Sequence, residues 1–148
     1  LIGLQPRGSH FAERIASVLT NDYKVKNIKL GKLDITFYRD DFRRRDELLN
    51  ANSTEINFLV ENQKVVFIDD VLFSGRSINA ALTAIQSYGR PAEVELLVLI
   101  DRRFSRHLPI QPDYKGATVD VINEEKVLVN LSEETTKDAV YIINKKEK

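Results

Sequence analysis

Residues 65–82 read VVFIDDVLFSGRSINAAL. Four apolar residues run into two adjacent carboxylates, Asp69 and Asp70. Val71, Leu72 and Phe73 separate that pair from Ser74-Gly75-Arg76-Ser77, and a helical pattern follows. Successive backbone N–H groups over residues 73–77, at the start of a helix, form an anion site. Gly75 lets the backbone come close to the anion, and Ser74 and Ser77 add hydroxyl donors. Asp69 and Asp70 would repel an anion, so they must serve something beside it, such as sugar hydroxyls or Mg²⁺. A phosphate next to a polyol is a phosphorylated ribose. Two other readings of the same residues exist. An acidic pair at a strand end also fits a phospho-acceptor receiver domain, and the small-residue cluster also fits a turn with a helix cap. The receiver reading needs an acceptor Asp on another strand and an opposing Lys, and it leaves Pro6-Arg7-Gly8 unexplained.

The elements that must position these groups alternate along the chain. Leu1–Leu4 reads as a strand. It opens without a turn or cap, which suggests that the native N-terminus extends further. Ser9 can cap a helix whose stripe is Phe11, Ile15, Val18 and Leu19. Leu33–Tyr38 alternates as a strand does. Residues 39–53 are strongly polar and carry Arg43, Arg44 and Arg45, the pattern of a long mobile loop. Ile56–Val60 is a short strand, and Val65–Ile68 is apolar on both faces, hence buried. Ser77 can cap a helix with the stripe Ile78, Ala81, Leu82 and Ile85, ended by Gly89 and Pro91. Val94–Ile100 is another buried strand, followed by a loop over DRRFSRHLPIQPDYKG. Strands at Val119–Ile122, Val127–Leu131 and Ala139–Ile143 complete the chain. This order predicts an α/β fold with a largely parallel sheet in a single domain spanning 1–148. In such sheets ligands sit beyond the carboxyl ends of the strands, where the loop after Ile68 lies.

Composition narrows the function classes. The 148 residues include no Cys and two His, which excludes a disulfide framework, thiolate metal sites and a His-rich metal centre. Lys and Arg together number 22, as do Asp and Glu, so net charge is zero and strong non-specific nucleic-acid binding by the whole surface is disfavoured. No segment reaches the roughly 18 apolar residues of a membrane span, and no signal peptide is visible. A cytoplasmic location is the expectation.

The stretch VVFIDDVLFSGRS resembles the phosphoribosyl-pyrophosphate (PRPP) signature of type I phosphoribosyltransferases. IGLQPRGSHFAERIA is similar to the pyrophosphate loop and following helix of the pyrimidine operon regulators, which double as uracil phosphoribosyltransferases. LDITFYRDDF, GRPAEVELLVLIDR and LPIQPDYKG resemble the same subfamily. The resemblance covers Leu1 to about Leu131 and implies the type I phosphoribosyltransferase fold, a mostly parallel sheet flanked by helices with a small hood over the site. It implies synthesis of UMP and pyrophosphate from uracil and PRPP with Mg²⁺, in a homo-oligomer. By that resemblance Asp69 and Asp70 bind the ribose hydroxyls and, through PRPP, the metal. Val71, Leu72, Phe73, Ser74, Gly75, Arg76 and Ser77 form the 5′-phosphate loop, with Ser74 in place of the usual Thr. Pro6, Arg7 and Gly8 lie in the pyrophosphate loop. Arg7 faces the leaving group with a planar donor fork, and together with Asp69 and Asp70 it completes the catalytic set. Pro6 replaces the usual Thr. Loop 39–53 acts as a lid. Asn52 stands where the family has a basic substrate contact, with Arg43, Arg44 or Arg45 as substitutes. Asp40 and Asp41 serve the metal or order the loop. Arg102 contacts substrate and Val127 lines the nucleobase pocket, while Asp101-Arg102-Arg103 replaces the family's Asp-Arg-Gly in a loop one residue longer.

The resemblance also implies binding of pyrimidine-operon leader RNA, with Arg103, Arg106 and Lys115 as the candidate contacts. Asp120 puts an acid into a segment that is usually neutral. Two alternatives stay open beside uracil transfer: a phosphoribosyltransferase for another nucleobase, and a nucleotide-sensing RNA-binding regulator without significant catalysis.

Overall fold

The computed structural model describes residues 1–40, 51–122, 124–132 and 137–144. Five strands form one all-parallel sheet in the order β2-β1-β3-β4-β5: β1 Ile2–Leu4, β2 Gly31–Leu33, β3 Lys64–Leu72, β4 Glu93–Arg103 and β5 Tyr114–Asp120. Helix α1 (Arg7–Asn21) follows β1, and α2 (Arg76–Ala84) follows β3. An antiparallel pair, β6 Glu125–Asn130 and β7 Ala139–Asn144, stands apart from the sheet. The expected α/β architecture is therefore present. No described helix is long and apolar enough to cross a membrane.

β3 is the central strand, and its apolar run explains why. Val65, Phe67 and Ile68 are all buried, Phe67 and Ile68 completely. Phe67 packs in a cluster with Ile2, Leu4, Leu33, Leu96 and Val98, with Ile78, Ala81 and Ala84 of α2, and with Ile85 just beyond its end. A second, smaller cluster holds Ile100, Val121, Val127 and Val129. Through it the β6–β7 pair rests on the carboxyl end of β4.

Several local expectations are corrected. Helix α1 begins at Arg7, and Ser9 does not cap it: its hydroxyl donates to Pro6 O at 2.7 Å from within the first turn. The buried face of α1 is Gly8, Ser9 and Ala12, while Val18 is exposed. The helix seats on its small residues because the sheet below is backbone: a Cβ on Gly3 would stand 2.5 Å from Ser9 Cα. Likewise Gly75, at φ +89°, caps α2 in place of Ser77. The Leu33–Tyr38 strand ends at Leu33 and gives way to a 3₁₀ turn over Thr36–Tyr38, because the buried Asp34 side chain accepts from Thr36 N and Oγ1 and draws the chain round. Ile56–Val60 is irregular, and the preceding Glu55 makes an isolated bridge to Lys32 of β2. β5 starts five residues before the expected Val119. The expected lid over 39–53 falls mostly on residues 41–50, outside the described residues, and so do Asp41, Arg43, Arg44 and Arg45.

Candidate active site

The carboxyl ends of β1, β3 and β4 open into one cavity of about 570 Å³, lined by Pro6, Arg7, Asp69, Asp70, Arg102 and Val127 among others. A second cavity of about 400 Å³ adjoins it, lined by Leu72, Ser74, Gly75, Arg76, Ser77 and His107. Arg39, Asp69, Val71, Phe73 and Ser77 border both. Chain topology explains this convergence. Parallel strands point all their carboxyl ends one way, so residues far apart in sequence meet there.

The acidic pair ends the central strand. Asp70 N donates to Asp69 Oδ1 at 2.9 Å, and Val71 N donates to Asp70 Oδ1 at 2.8 Å. Each carboxylate thus has one oxygen tied to local backbone. Asp70 is buried, and its Oδ2 has no hydrogen-bond partner among the described residues. The Arg7 guanidinium lies 3.8 Å from that oxygen. Burial, and then the charge of Asp70, raise the Asp69 carboxyl well above the ordinary carboxylate range. Two carboxylates crowded together with an unpaired buried oxygen offer an acceptor for a hydroxyl or a ligand for a hard cation.

Arg7 opens α1 and projects into the larger cavity, half-exposed. The peptide between Gln5 and Pro6 is cis. Gly8 does not face the cavity. Its Cα lies against β3, where a Cβ would meet Ile68 O at 2.3 Å and Asp69 Cα at 3.0 Å. Its close backbone approach is made to the acidic strand. Arg102 is buried, its guanidinium 4.2 Å from the Phe73 ring centroid. Its Nε and Nη2 have no partner among the described residues. Burial lowers its pKa against a weaker opposing pull from Glu125. Among the described residues this buried guanidinium keeps two nitrogens open for an acceptor at the cavity wall.

The remaining expected residues are placed as follows. Val127 is buried and lines the cavity. Asn52 is exposed, and its backbone N donates to Asp34 Oδ2 at 3.0 Å, away from the cavity lining. The Arg76 side chain pairs with Asp40, which fits the loop-ordering reading of that acid. Arg103 makes a bidentate pair with Asp120 at 2.6 Å. Arg106 pairs with Asp101 and donates to Phe73 O, while Lys115 lies 3.8 Å from Asp101. Arg39 and Lys126 line the larger cavity and were not anticipated. No sequence signal marked Lys126, since successive side chains on a strand point to opposite faces.

The phosphoribosyl transferase domain family matches residues 1–132. The chain belongs to the phosphoribosyltransferase family. Its sequence is 44% identical over 142 residues to bifunctional protein PyrR of Desulfosudis oleivorans, covering 96% of this chain and 78% of that protein. It is 36% identical over 149 residues to bifunctional protein PyrR of Bacillus cereus, covering 98% and 81%. The subfamily resemblance carried by LDITFYRDDF and its companions thus leads to the same relatives. Among solved structures, hypoxanthine phosphoribosyltransferase of Trypanosoma cruzi is similar with a TM-score of 0.66 at 16% identity, covering 97% of this chain and 74% of that one. A purine phosphoribosyltransferase from Pyrococcus horikoshii gives 0.57 at 19% identity, covering 80% and 68%. At such identities the likeness is one of fold, and it places this phosphoribosyltransferase on the type I scaffold.

Proposed function

We propose that this chain transfers the phosphoribosyl group of PRPP to uracil, forming UMP and pyrophosphate. The observation that carries the reading is the joined pair of cavities. One offers a backbone and hydroxyl cradle at Ser74–Ser77, and the other offers Arg7, Arg102 and the unpaired oxygen of Asp70. A 5′-phosphate, a ribose and a pyrophosphate need those three environments side by side. The acidic pair fits a Mg²⁺ held indirectly through PRPP, and such an ion would neutralise charge on the leaving pyrophosphate.

The chain's own residues supply positioning and electrostatics. The residue 73–77 loop fixes the phosphate end. Asp69 and Asp70 hold the ribose hydroxyls, and negative carboxylate charge nearby favours the oxocarbenium-like character that develops at C1. Arg7 meets the oxygens that become anionic as the C1–O bond breaks. Arg102 offers donors only, so it suits a carbonyl or an anionic oxygen. Val127 supplies an apolar wall for the base. The choice of uracil rests on the subfamily likeness. A PRPP- and Mg²⁺-dependent assay across uracil, hypoxanthine, guanine and adenine is expected to give product with uracil. Turnover with a purine alone would redirect the specificity, and none with any base would leave a binding-only regulator.

The shared description of the relatives as bifunctional favours a second activity, which we assign to binding of pyrimidine-operon leader RNA. The exposed side chains of Val140, Tyr141, Ile142 and Ile143 on β7 support a homo-oligomer as the working unit. All three candidate RNA contacts are engaged by acids: Arg103 by Asp120, and Arg106 and Lys115 by Asp101. Phosphate contacts here must displace those pairs, so binding is expected to be weak and to fall as salt rises. Replacing Arg103 and Lys115 by Ala should flatten that salt dependence and leave uracil transfer unchanged. Leader binding with an unaltered salt slope would place the RNA on another face.

A further inference from the structure

The segment after β4 grips the phosphate loop from behind. Arg106 Nη1 donates to Phe73 O, His107 N donates to Ser74 O at 3.0 Å, and Leu108 N donates to the same oxygen at 3.2 Å. Three donors therefore hold two consecutive carbonyls of the loop. A trans peptide is planar, with its C=O and N–H pointing in opposite directions. Pulling the carbonyls of Phe73 and Ser74 toward residues 106–108 turns the N–H groups of Ser74 and Gly75 the other way. Those two N–H groups belong to the stretch that begins the phosphate cradle. Gly75, at φ +89°, accommodates the resulting twist as the chain enters α2.

Arg106 differs from the other two donors because it is charged and itself anchored. Its side chain is 22% exposed, and Nη2 donates to the buried carboxylate of Asp101, whose side chain is 8% exposed. Asp101 lies on β4, paired in register with Leu72 of β3. The guanidinium thus links a fixed point in the sheet to the loop, and its charge polarises the Phe73–Ser74 peptide so that the N–H on the far side becomes a better donor. Phe73, whose carbonyl it holds, also packs its ring against Arg102.

We propose that Arg106 is a positioning residue for the 5′-phosphate: it orients and polarises the Phe73–Ser74 peptide and thereby sets affinity for the phosphate of the nucleotide without touching it. This rests on the reading of residues 73–77 as a phosphate cradle. The test is calorimetric titration of wild type, Arg106→Gln and Arg106→Lys with UMP and with uridine, alongside thermal melts. Wild type should prefer UMP. Arg106→Gln should lose roughly ten- to hundredfold of UMP affinity, the worth of a charged hydrogen bond, and keep its uridine affinity. Arg106→Lys should fall between, because one ammonium cannot bridge Phe73 O and Asp101 as a planar fork does. It serves as the deciding variant if Arg106→Gln does not fold. A folded variant that retains the full UMP-to-uridine ratio overturns the proposal. A wild type that binds both ligands equally overturns the cradle reading itself.

Discussion

Replacing Asp70 by Asn is expected to leave the fold intact and to cut PRPP turnover by about two to three orders of magnitude, the loss that follows removal of one preorganised transition-state contact. The local geometry separates the two effects. Asp70 Oδ1 accepts from Val71 N, and an amide oxygen can accept the same bond. Oδ2 makes no hydrogen bond among the described residues and has only the long 3.8 Å ion pair with the half-exposed Arg7, so its replacement by NH₂ costs the free protein little. The change also removes a negative charge that raises the Asp69 carboxyl, which eases the crowding of the ligand-free pair. The damage is therefore expected mainly in the bound state, where, on the proposed reading, ribose hydroxyls and metal lose an anionic partner. Thermal melting and steady-state turnover of the variant check this together. A variant that melts like a core mutant and turns over normally once folded would make the pair structural.

Gly8→Ala should damage both stability and activity. The added methyl would lie 2.3 Å from Ile68 O, and neither the first turn of α1 nor the central strand can give way as a flexible side chain would. Helix and sheet must separate, at a cost of about 1–3 kcal/mol, the range for overpacking a filled site. Arg7 is the next residue toward the N-terminus, so the separation carries its guanidinium away from Asp70 and lowers turnover as well. His10→Ala, an exposed position two residues further along the same helix, is the control and should change neither. An unshifted melting temperature with normal turnover in Gly8→Ala would refute the close-packing argument.

What the sequence discloses follows from how local each feature is. The cradle and acidic pair lie within nine residues, 69–77, so their chemistry is legible in one short reading. The buried strands β3 and β4 are legible because continuous apolar runs bounded by turns leave few alternatives. β5 escaped as a full strand because Tyr-Lys-Gly-Ala-Thr-Val-Asp has no alternation, being an edge strand exposed along most of its length. The α1 stripe misled because Gly8, Ser9 and Ala12, not the larger apolar residues, make the close contact. Arg106 was readable only as a charge. Its carbonyl partner, Phe73, is 33 residues away, and no spacing rule connects them.

The division of the apolar interior into two clusters has an energetic consequence for how the ligand is held. The larger cluster unites β1, β2, β3, β4 and α2 and sits beneath the phosphate cradle. The smaller one, Ile100, Val121, Val127 and Val129, anchors the β6–β7 ribbon that carries Val127, the wall proposed for the base. With fewer buried side chains holding it, the ribbon opens at a lower free energy than the sheet, as a separate cooperative unit. Nucleobase and phosphate therefore meet unequal hosts. On the proposed reading the phosphate meets the more firmly packed part of the site and the base the less firmly packed part, and amide exchange in β6 and β7 is expected to slow when uracil binds.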